Sequence, residues 1–275
     1  MICYPNAKIN LGLYIINKRE DGFHNIETVF YPIGLTDALE CVENKDYHVS
    51  SDCLLISNGL KIQGNLDDNL IAKAYYLLKN NYDLPPVIVH LNKKIPMGAG
   101  LGGGSSDAAY MLKLLNELFN LKLTNNELKN YAALLGSDCA FFIDNAPAYV
   151  FGKGHELTPI NLSLSNYYIA LVHDGTHSNT ALAYKHATCR GNENINLLEK
   201  IQKPINTWKE SIENDFEKSV FHKYPHLANI KEWMYYQGAL YAAMSGSGST
   251  ILGIFNKKPN LQGSWVKYIQ FIGKL

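Results

Sequence analysis

The stretch PMGAGLGGGSS, residues 96–106, constrains the fold more than any other part of this chain, because it places five glycines and two serines in eleven residues. Glycine loses more backbone freedom on folding than any other residue, so five glycines in one turn require a compensating role. Without side chains, consecutive backbone N–H groups can surround an oxyanion, and the amino terminus of a following helix adds partial positive charge. The stretch therefore predicts a phosphate-binding loop rather than a flexible surface turn with a serine cap.

Two other phosphate-loop patterns fit this stretch less well. The spacing G-x-G-x-x-G is present, but a dinucleotide site also needs a strand with an acidic residue about 20 residues further on, where this chain has Thr124 at the start of a predicted helix. A Walker loop needs a lysine after the glycines, and here Gly104 directly precedes Ser105. The loop therefore predicts triphosphate binding, with serine hydroxyls available to phosphate or to a cation.

The composition excludes several classes of protein. The 275 residues suffice for two domains, and 47% hydrophobic with 18% charged residues is typical of a globular protein. The 25 basic and 25 acidic side chains balance without a long basic tract, which argues against a nucleic-acid partner. The five cysteines are scattered and form no C-x-x-C pair, and there is neither a leader pattern nor an apolar run of membrane length. We expect a cytoplasmic protein without nucleic-acid or membrane partners.

The apolar periodicity predicts a mixed α/β chain. AKINLGLYII alternates as a strand with an apolar face and a polar face that carries Lys8 and Asn10, which could be solvated edge residues or substrate-facing ones. NLIAKAYYLLKNNY and residues 107–119 have helical spacing, and Thr124 with Glu127 predicts a capping box for a further helix. The apolar pattern lapses over residues 152–166. We place domains at residues 1–155 and 156–275.

Three segments together resemble a known superfamily. PNAKINLGL near the start, PMGAGLGGGSS in the middle and MSGSGSTILG near the end are similar, in that order, to the motifs of the GHMP kinases, which include galactokinase, homoserine kinase and mevalonate kinase. The resemblance implies a two-domain α/β (α+β) fold with the active site in the cleft between the domains, and ATP with Mg²⁺. The ATP-binding residues it implies are Pro96, Met97, Gly98, Ala99, Gly100, Leu101, Gly102, Gly103, Gly104, Ser105 and Ser106.

Further motifs narrow the resemblance. KREDGFHNIETVF, GSD at 136–138 and NDFE at 214–217 are similar to the branch of the superfamily whose substrate carries cytidine diphosphate and belongs to isoprenoid precursor synthesis. The resemblance implies that Asp138 is the catalytic base and that Lys8 pairs with it. A positioned carboxylate and a cation are what transfer of a phosphoryl group to a hydroxyl requires. Mg²⁺ ligands are not assigned, although Ser106 is the plausible side chain and Asp138 could contribute.

Binding of a cytidine group requires an aromatic ring that stacks on the base and hydrogen bonds to the edge of the base. DGFH offers both, with Phe23 to stack on cytosine and His24 to hold its polar edge. The substrate residues we expect are Asn10, Phe23, His24, Phe30 and Tyr184, of which the last two could equally be core residues. Phe23 stands where the family commonly has tyrosine, and Ala140 where it usually has proline.

Alternatives remain open for one segment and for the whole chain. SGSGST, residues 245–250, could lie beside the phosphates or simply be a tight turn that leads into a strand at Ile251–Phe255. The chain could also be another small-molecule GHMP kinase, or a non-catalytic nucleotide-binding protein with the same fold. Both Lys8 and Asp138 are present, which favours an enzyme.

Overall fold

A computed structural model describes residues 1–45, 51–62, 68–191 and 196–275. Its strands are β1 (Ile2–Cys3), β2 (Asn6–Lys18), β3 (His24–Thr36), β4 (Ala38–Glu43), β5 (Cys53–Gly59), β6 (Val87–Lys93), β7 (Ala148–Phe151), β8 (Glu156–Pro159), β9 (Tyr168–Val172), β10 (Tyr241–Met244), β11 (Ile251–Phe255) and β12 (Ile269–Lys274). Its helices are α1 (Leu70–Lys79), α2 (Gly103–Leu118), α3 (Asn125–Leu135), α4 (Phe141–Asp144), α5 (Thr180–Lys185), α6 (Leu197–Ile201), α7 (Trp208–Ser211), α8 (Phe216–Lys223) and α9 (Pro225–Tyr236). The mixture of helices and strands that the periodicity predicted is confirmed.

The chain forms two compact units, each assembled from separate segments. The first unit contains residues 1–7, 35–97 and 102–146, and the second contains residues 8–34, 98–101 and 147–275. The glycine loop is thus divided, with residues 98–101 in the second unit and residues 102–106 in the first. The expected domain boundary near residue 155 stays a prediction, because compactness does not divide the chain at a single point.

The first unit is built on a four-stranded sheet with the order β1-β4-β6-β5. β4 pairs antiparallel with β6, whereas β5 pairs parallel with it. Along β6 alternate side chains are buried, from Val87 through Val89 and Leu91 to Lys93, so this strand buries a lysine on its apolar face. The last residue of β6 therefore needs partners inside the protein.

Local sequence signals place the helices of this unit. The predicted capping box is present, because Thr124 accepts the backbone N–H of Glu127 and the side chain of Glu127 accepts that of Thr124. Such a box satisfies two of the donors left free at a helix start. The prediction that the helix after the glycine loop begins at residue 107 was wrong, since α2 begins at Gly103. Glycine is a poor helix former, so propensity placed this start four residues late.

The second unit contains two sheets, with the orders β2-β3-β7-β8 and β10-β11-β9-β12. β2 is buried along both faces from its first residue to Ile15, so the polar face predicted for it is not a solvated one. In the other sheet, β9 pairs antiparallel with β11 and with β12. Its core includes Met244 and Ile251 of the sheet together with Phe216 and Ile230 of α8 and α9. Among the described residues, no helix has the length and apolar character needed to cross a bilayer.

Candidate active site

The first half of the glycine loop packs against the second small-residue turn, Ser245–Thr250, within the second unit. Gly100 has φ +77°, and a Cβ atom added there would lie 1.9 Å from the carbonyl oxygen of Ser245. The Ser245 hydroxyl donates to the Gly100 carbonyl at 2.8 Å, and the Thr250 N–H donates to the Ala99 carbonyl at 3.3 Å. Only glycine tolerates both the backbone conformation and this approach. The two glycine-containing turns therefore support each other directly.

Lys8 and Asn10 of β2 form a buried polar group beside these turns. Lys8 Nζ donates to Asn10 Oδ1 at 2.6 Å and lies 4.3 Å from the centroid of the Phe30 ring. Asn10 Nδ2 donates to Thr28 Oγ1 at 2.9 Å, and the Asn10 backbone N–H donates to the Ser245 hydroxyl at 3.2 Å. Lys8 and Asn10 are only 3% and 2% exposed, so the alternative of solvated edge residues is wrong. The structure thus brings together three of the predicted site residues, Lys8, Asn10 and Phe30.

The second half of the loop forms the first turn of α2 in the first unit. Gly102 is the N-cap in the left-handed conformation, with no side-chain cap. Ser106 is fully buried, and its hydroxyl has no hydrogen-bond partner among the described residues. A buried hydroxyl without a partner is costly, which points to a ligand as its partner. A Cβ added at Gly104 would meet no atom within 4 Å, so no described protein atom requires a glycine there.

A buried ion cluster that the sequence analysis missed lies under this turn. Lys93 Nζ contacts the carboxylates of Asp37 and Asp107, the latter at 2.8 Å, and all three side chains are at most 3% exposed. A Cβ atom on Gly103 would lie 2.9 Å from Lys93 Nζ. Burial raises the pKa of Asp107 to about 7, with Lys93 opposing the shift and Asp37 adding to it. The two-residue period of β6 was a usable signal, because it places Lys93 on the same face as Val87, Val89 and Leu91.

Asp138 lies in the turn between α3 and α4 and is half-buried. The Ser137 hydroxyl donates to Asp138 Oδ1 at 3.3 Å. The neighbouring Cys139 has its pKa raised to about 11 by burial, and its thiol shares a hydrogen bond with Ser105 of the glycine loop. This bond connects the turn that carries Asp138 to the first turn of α2. Ala140 has φ −62°, close to the angle that a proline imposes, so the backbone at this position is compatible with the proline that is usual in the family.

Only some of the residues predicted to bind the nucleobase lie together. The rings of His24 and Tyr184 are stacked with centroids 5.1 Å apart, and Tyr184 meets Phe216 edge-on at 4.8 Å. Burial lowers the pKa of His24, and Lys18 adds to the effect. Phe23 lies outside this stack and is 61% exposed, with Lys153 Nζ 5.3 Å from its ring centroid. His24 and Tyr184 thus form one aromatic surface, and Phe23 presents an open face near the same chain segment.

Comparison with family models matches two domains to this chain. The model described as the GHMP kinases N terminal domain matches residues 69–153, and the one described as GHMP kinases C terminal matches residues 196–263. The first match contains the whole glycine loop, the Asp37 partner Lys93 and Asp138. The second contains Asn214 and the turn Ser245–Thr250.

Relatives and solved structures agree with these models. A 4-diphosphocytidyl-2-C-methyl-D-erythritol kinase of Bacteroides fragilis is 50% identical over 261 residues, which is 95% of this chain and 94% of that protein. A crystal structure of 4-(cytidine 5'-diphospho)-2C-methyl-D-erythritol kinase matches with a TM-score of 0.78 at 31% identity, covering 92% of this chain and 89% of the other. A phosphomevalonate kinase of Streptococcus pneumoniae has a TM-score of 0.69 at 15% identity, covering 100% of this chain and 99% of the other, and shares the fold alone.

Proposed function

We propose, from the premise that this chain belongs to the GHMP kinases, that it transfers the γ-phosphate of ATP to the 2-hydroxyl of 4-diphosphocytidyl-2-C-methyl-D-erythritol. The observation that carries this choice of substrate is 50% identity over 95% of the chain to a kinase named for that substrate. The products would be ADP and the 2-phosphate, in the non-mevalonate route to isoprenoid precursors. The first turn of α2 supports the donor, because an uncapped helix start with free N–H groups favours phosphate.

The predicted roles of Asp138 and Lys8 are part of this proposal. The substrate oxygen forms a bond to the γ-phosphorus, the bond from that phosphorus to the β–γ bridging oxygen breaks, and the hydroxyl proton passes to the Asp138 carboxylate. Lys8 supplies a buried positive charge that either lowers the pKa of the base, steers the hydroxyl or stabilises the transferring phosphoryl group. The two residues lie in different compact units, and their pairing stays a prediction.

Mg²⁺ is proposed as the ion that accompanies ATP. The described residues contain no group of three or more His, Cys, Asp or Glu side chains placed to hold a metal. Mg²⁺ in kinases commonly keeps several waters and binds through one or two protein oxygens together with the substrate phosphates. The unpartnered hydroxyl of Ser106 fits such a site, and the Asp138 carboxylate has the right chemistry to contribute. When bound, the ion would neutralise phosphate charge.

The cytidine end of the substrate is assigned to Phe23, His24 and Tyr184. The His24–Tyr184 pair offers an aromatic surface, and Phe23 offers an exposed ring on which a base can stack. We also propose a cytoplasmic location, because all five cysteines are free thiols and three of them are buried. The absence of a nucleic-acid partner stays a prediction from the balanced charge.

The test follows ADP release by the purified protein with Mg·ATP, with and without 4-diphosphocytidyl-2-C-methyl-D-erythritol. We expect strong stimulation by that substrate and its loss in Asp138→Asn, since removal of a general base typically costs about 10²–10⁴-fold. Asp144→Asn is the matched control, because Asp144 ends the neighbouring α4 and forms a surface ion pair with Lys129. ATP binding without substrate stimulation would overturn the choice of substrate. Equal loss in both variants would overturn the role of Asp138.

A further inference from the structure

The segment 213–215, which overlaps the NDFE motif at 214–217, is fixed to the strand that carries Lys8 and Asn10. The Leu13 N–H donates to the Glu213 carbonyl, and the Asp215 N–H donates back to the Leu13 carbonyl, each at 2.9 Å. The Ile15 N–H donates to Asp215 Oδ2 at 2.8 Å. The middle residue of this segment is therefore held in place from both sides against β2.

The side-chain amide of Asn214 bonds to the second glycine turn through its NH₂ group and to the start of α8 through its oxygen. Its Nδ2 donates to the carbonyls of Met244, at 2.7 Å, and Gly246, at 2.8 Å, which flank Ser245. Its Oδ1 accepts the Phe216 N–H at 3.0 Å, and the residue is 3% exposed. The two carbonyls and the one N–H determine which way the amide faces, because only an NH₂ group can donate twice. A carboxylate at this position could serve the N–H but not the carbonyls.

Ser245 passes this constraint to both parts of the site in the second unit. Its hydroxyl accepts the backbone N–H of Asn10 and donates to the carbonyl of Gly100. Asn10 in turn accepts the hydrogen bond of Lys8. Asn214 holds the carbonyls of the two residues that flank Ser245. The Ser245 hydroxyl therefore sets the position of Asn10, the hydrogen-bond partner of Lys8, and of Gly100 in the glycine loop.

We infer that Asn214 is a positioning residue for phosphoryl transfer, acting through Ser245 on the Asn10–Lys8 pair and on the first half of the glycine loop. The inference rests on the proposed function for its kinetic effect. Its effect on the glycine loop extends to ATP binding, which does not depend on the identity of the alcohol substrate. Asn214 itself contacts no reacting group in this arrangement.

The fold of this region has a second support that is independent of Asn214. Glu217 Oε1 accepts the Met244 N–H at 2.8 Å, and Met244 also pairs with Ile251 across the sheet. The strand before the turn therefore keeps its partners when the asparagine amide is removed. Loss of Asn214 is expected to loosen the turn rather than the sheet.

The test measures kcat and the Kd for a non-hydrolysable ATP analogue in Asn214→Ala, Asn214→Asp, Ser245→Ala and the double variant Asn214→Ala/Ser245→Ala. We expect kcat to fall about 100-fold in Asn214→Ala, as misplacement of a reacting group by about 1 Å can cause. We expect the Kd for the analogue to rise about tenfold, because a displaced glycine loop would lose about one hydrogen bond to the charged phosphates. The double variant should be no worse than the poorer single variant, because both changes break the same connection.

The control is Asn116→Asp. The side chain of Asn116 also fixes a backbone segment, because it accepts the Leu123 N–H at 2.9 Å and donates to the Leu123 carbonyl at 3.1 Å. Asn116 lies near the end of α2, whereas the proposed ATP site is at the first turn of that helix. Asn116→Asp should lower the melting temperature and leave kcat and the analogue Kd within twofold of wild type. If Asn214→Asp does not fold, the neutral Asn214→Ala decides the question.

The outcomes separate the inference from the proposed function. Analogue binding and kcat unchanged in folded Asn214→Ala, or effects of Asn214→Ala and Ser245→Ala that multiply in the double variant, would overturn the inference. Wild-type protein that binds the analogue but shows no substrate-stimulated ADP release would overturn the proposed function. In that case the change in analogue Kd still decides the role of Asn214.

Discussion

In the second unit the glycine loop is held by neutral hydrogen bonds, whereas in the first unit the same loop lies over buried charges. Gly100 is fixed by a serine hydroxyl and by close contact with the Ser245 carbonyl. Gly103 lies against Lys93, which is bound by two buried carboxylates. One loop is therefore supported by two different kinds of chemistry along eleven residues.

The two supports of the loop should respond differently to substitutions and to pH. Hydrogen bonds between neutral groups do not titrate, so the second-unit support depends on shape and on the glycine backbone. A buried ion cluster depends on its balance of charge, because removing one member leaves the others buried without compensation. Substitutions and pH should therefore act differently on the two halves of the loop.

The largest expected effect comes from breaking the charged support. Lys93→Met leaves the carboxylates of Asp37 and Asp107 buried together, and we expect a loss of about 3–5 kcal/mol in the free energy of unfolding. Lys129→Met is the matched control, since the Lys129–Asp144 pair is on the surface and worth about 1 kcal/mol or less. Chemical denaturation of both variants measures the difference. Equal losses would show that the cluster is not a structural support.

A smaller effect should distinguish two glycines of the same loop. Gly100→Ala places a Cβ against the Ser245 carbonyl at φ +77°, and the left-handed backbone alone costs about 1–2 kcal/mol. Gly104→Ala meets nothing within 4 Å and lies in the first turn of α2, so stability should rise by up to about 1 kcal/mol. Denaturation and ATP titration on both variants measure these effects. We expect Gly104→Ala to weaken ATP binding despite its stability, and unchanged binding would show that the open space at Gly104 does not serve the nucleotide.

A third effect concerns pH and sharpens the contrast between the charged and the neutral support. The groups around Asp107 are Lys93, Asp37 and the thiol of Cys3. Burial raises the pKa of Asp107 from 3.8 to about 7, so the folded protein keeps a proton that the unfolded chain releases between those values. The contribution of Asp107 to the free energy of unfolding is therefore greatest at or below pH 4 and falls as the pH rises towards 7.

Asp107→Asn removes that titration. We expect the free energy of unfolding of this variant to improve relative to wild type as pH rises from about 4 to 7, and to change no further above pH 7. Denaturation curves of the two proteins at matched pH values measure the difference. A difference independent of pH would contradict the raised pKa, whereas Asn214→Ala, in the neutral support, should show no such trend.

Local signals allowed much of the fold to be predicted from the sequence. The strand β2, the capping box of Thr124 and Glu127 and the strand Ile251–Phe255 are all present as expected, although both faces of β2 are buried. Each depends on residues that are neighbours in the chain. The start of α2 was missed because glycines argue against a helix locally, and the packing under Gly103 overrides that preference.

The site residues were predicted as a set, but their grouping was predicted only in part. Lys8, Asn10 and Phe30 lie together, and His24 lies against Tyr184, whereas Phe23 is exposed outside that stack. The two-residue period of a strand placed Lys8 and Asn10 on one face. The contacts of Lys8 with Phe30 and of His24 with Tyr184 join residues distant in the chain, and no period or spacing specifies them. The roles assigned to these residues and to Asp138 stay predictions.

The sequence by itself determined that a glycine-rich loop within residues 96–106 leads into a helix, because glycine content is visible without any contact. Only the tertiary structure decided what each glycine is for. Gly100 is required by the Ser245 carbonyl, and Gly103 by Ile95 and Lys93, whereas Gly104 faces open space. The physical reason is that the room for a Cβ atom depends on which distant backbone packs against it, and that packing exists only in the folded chain.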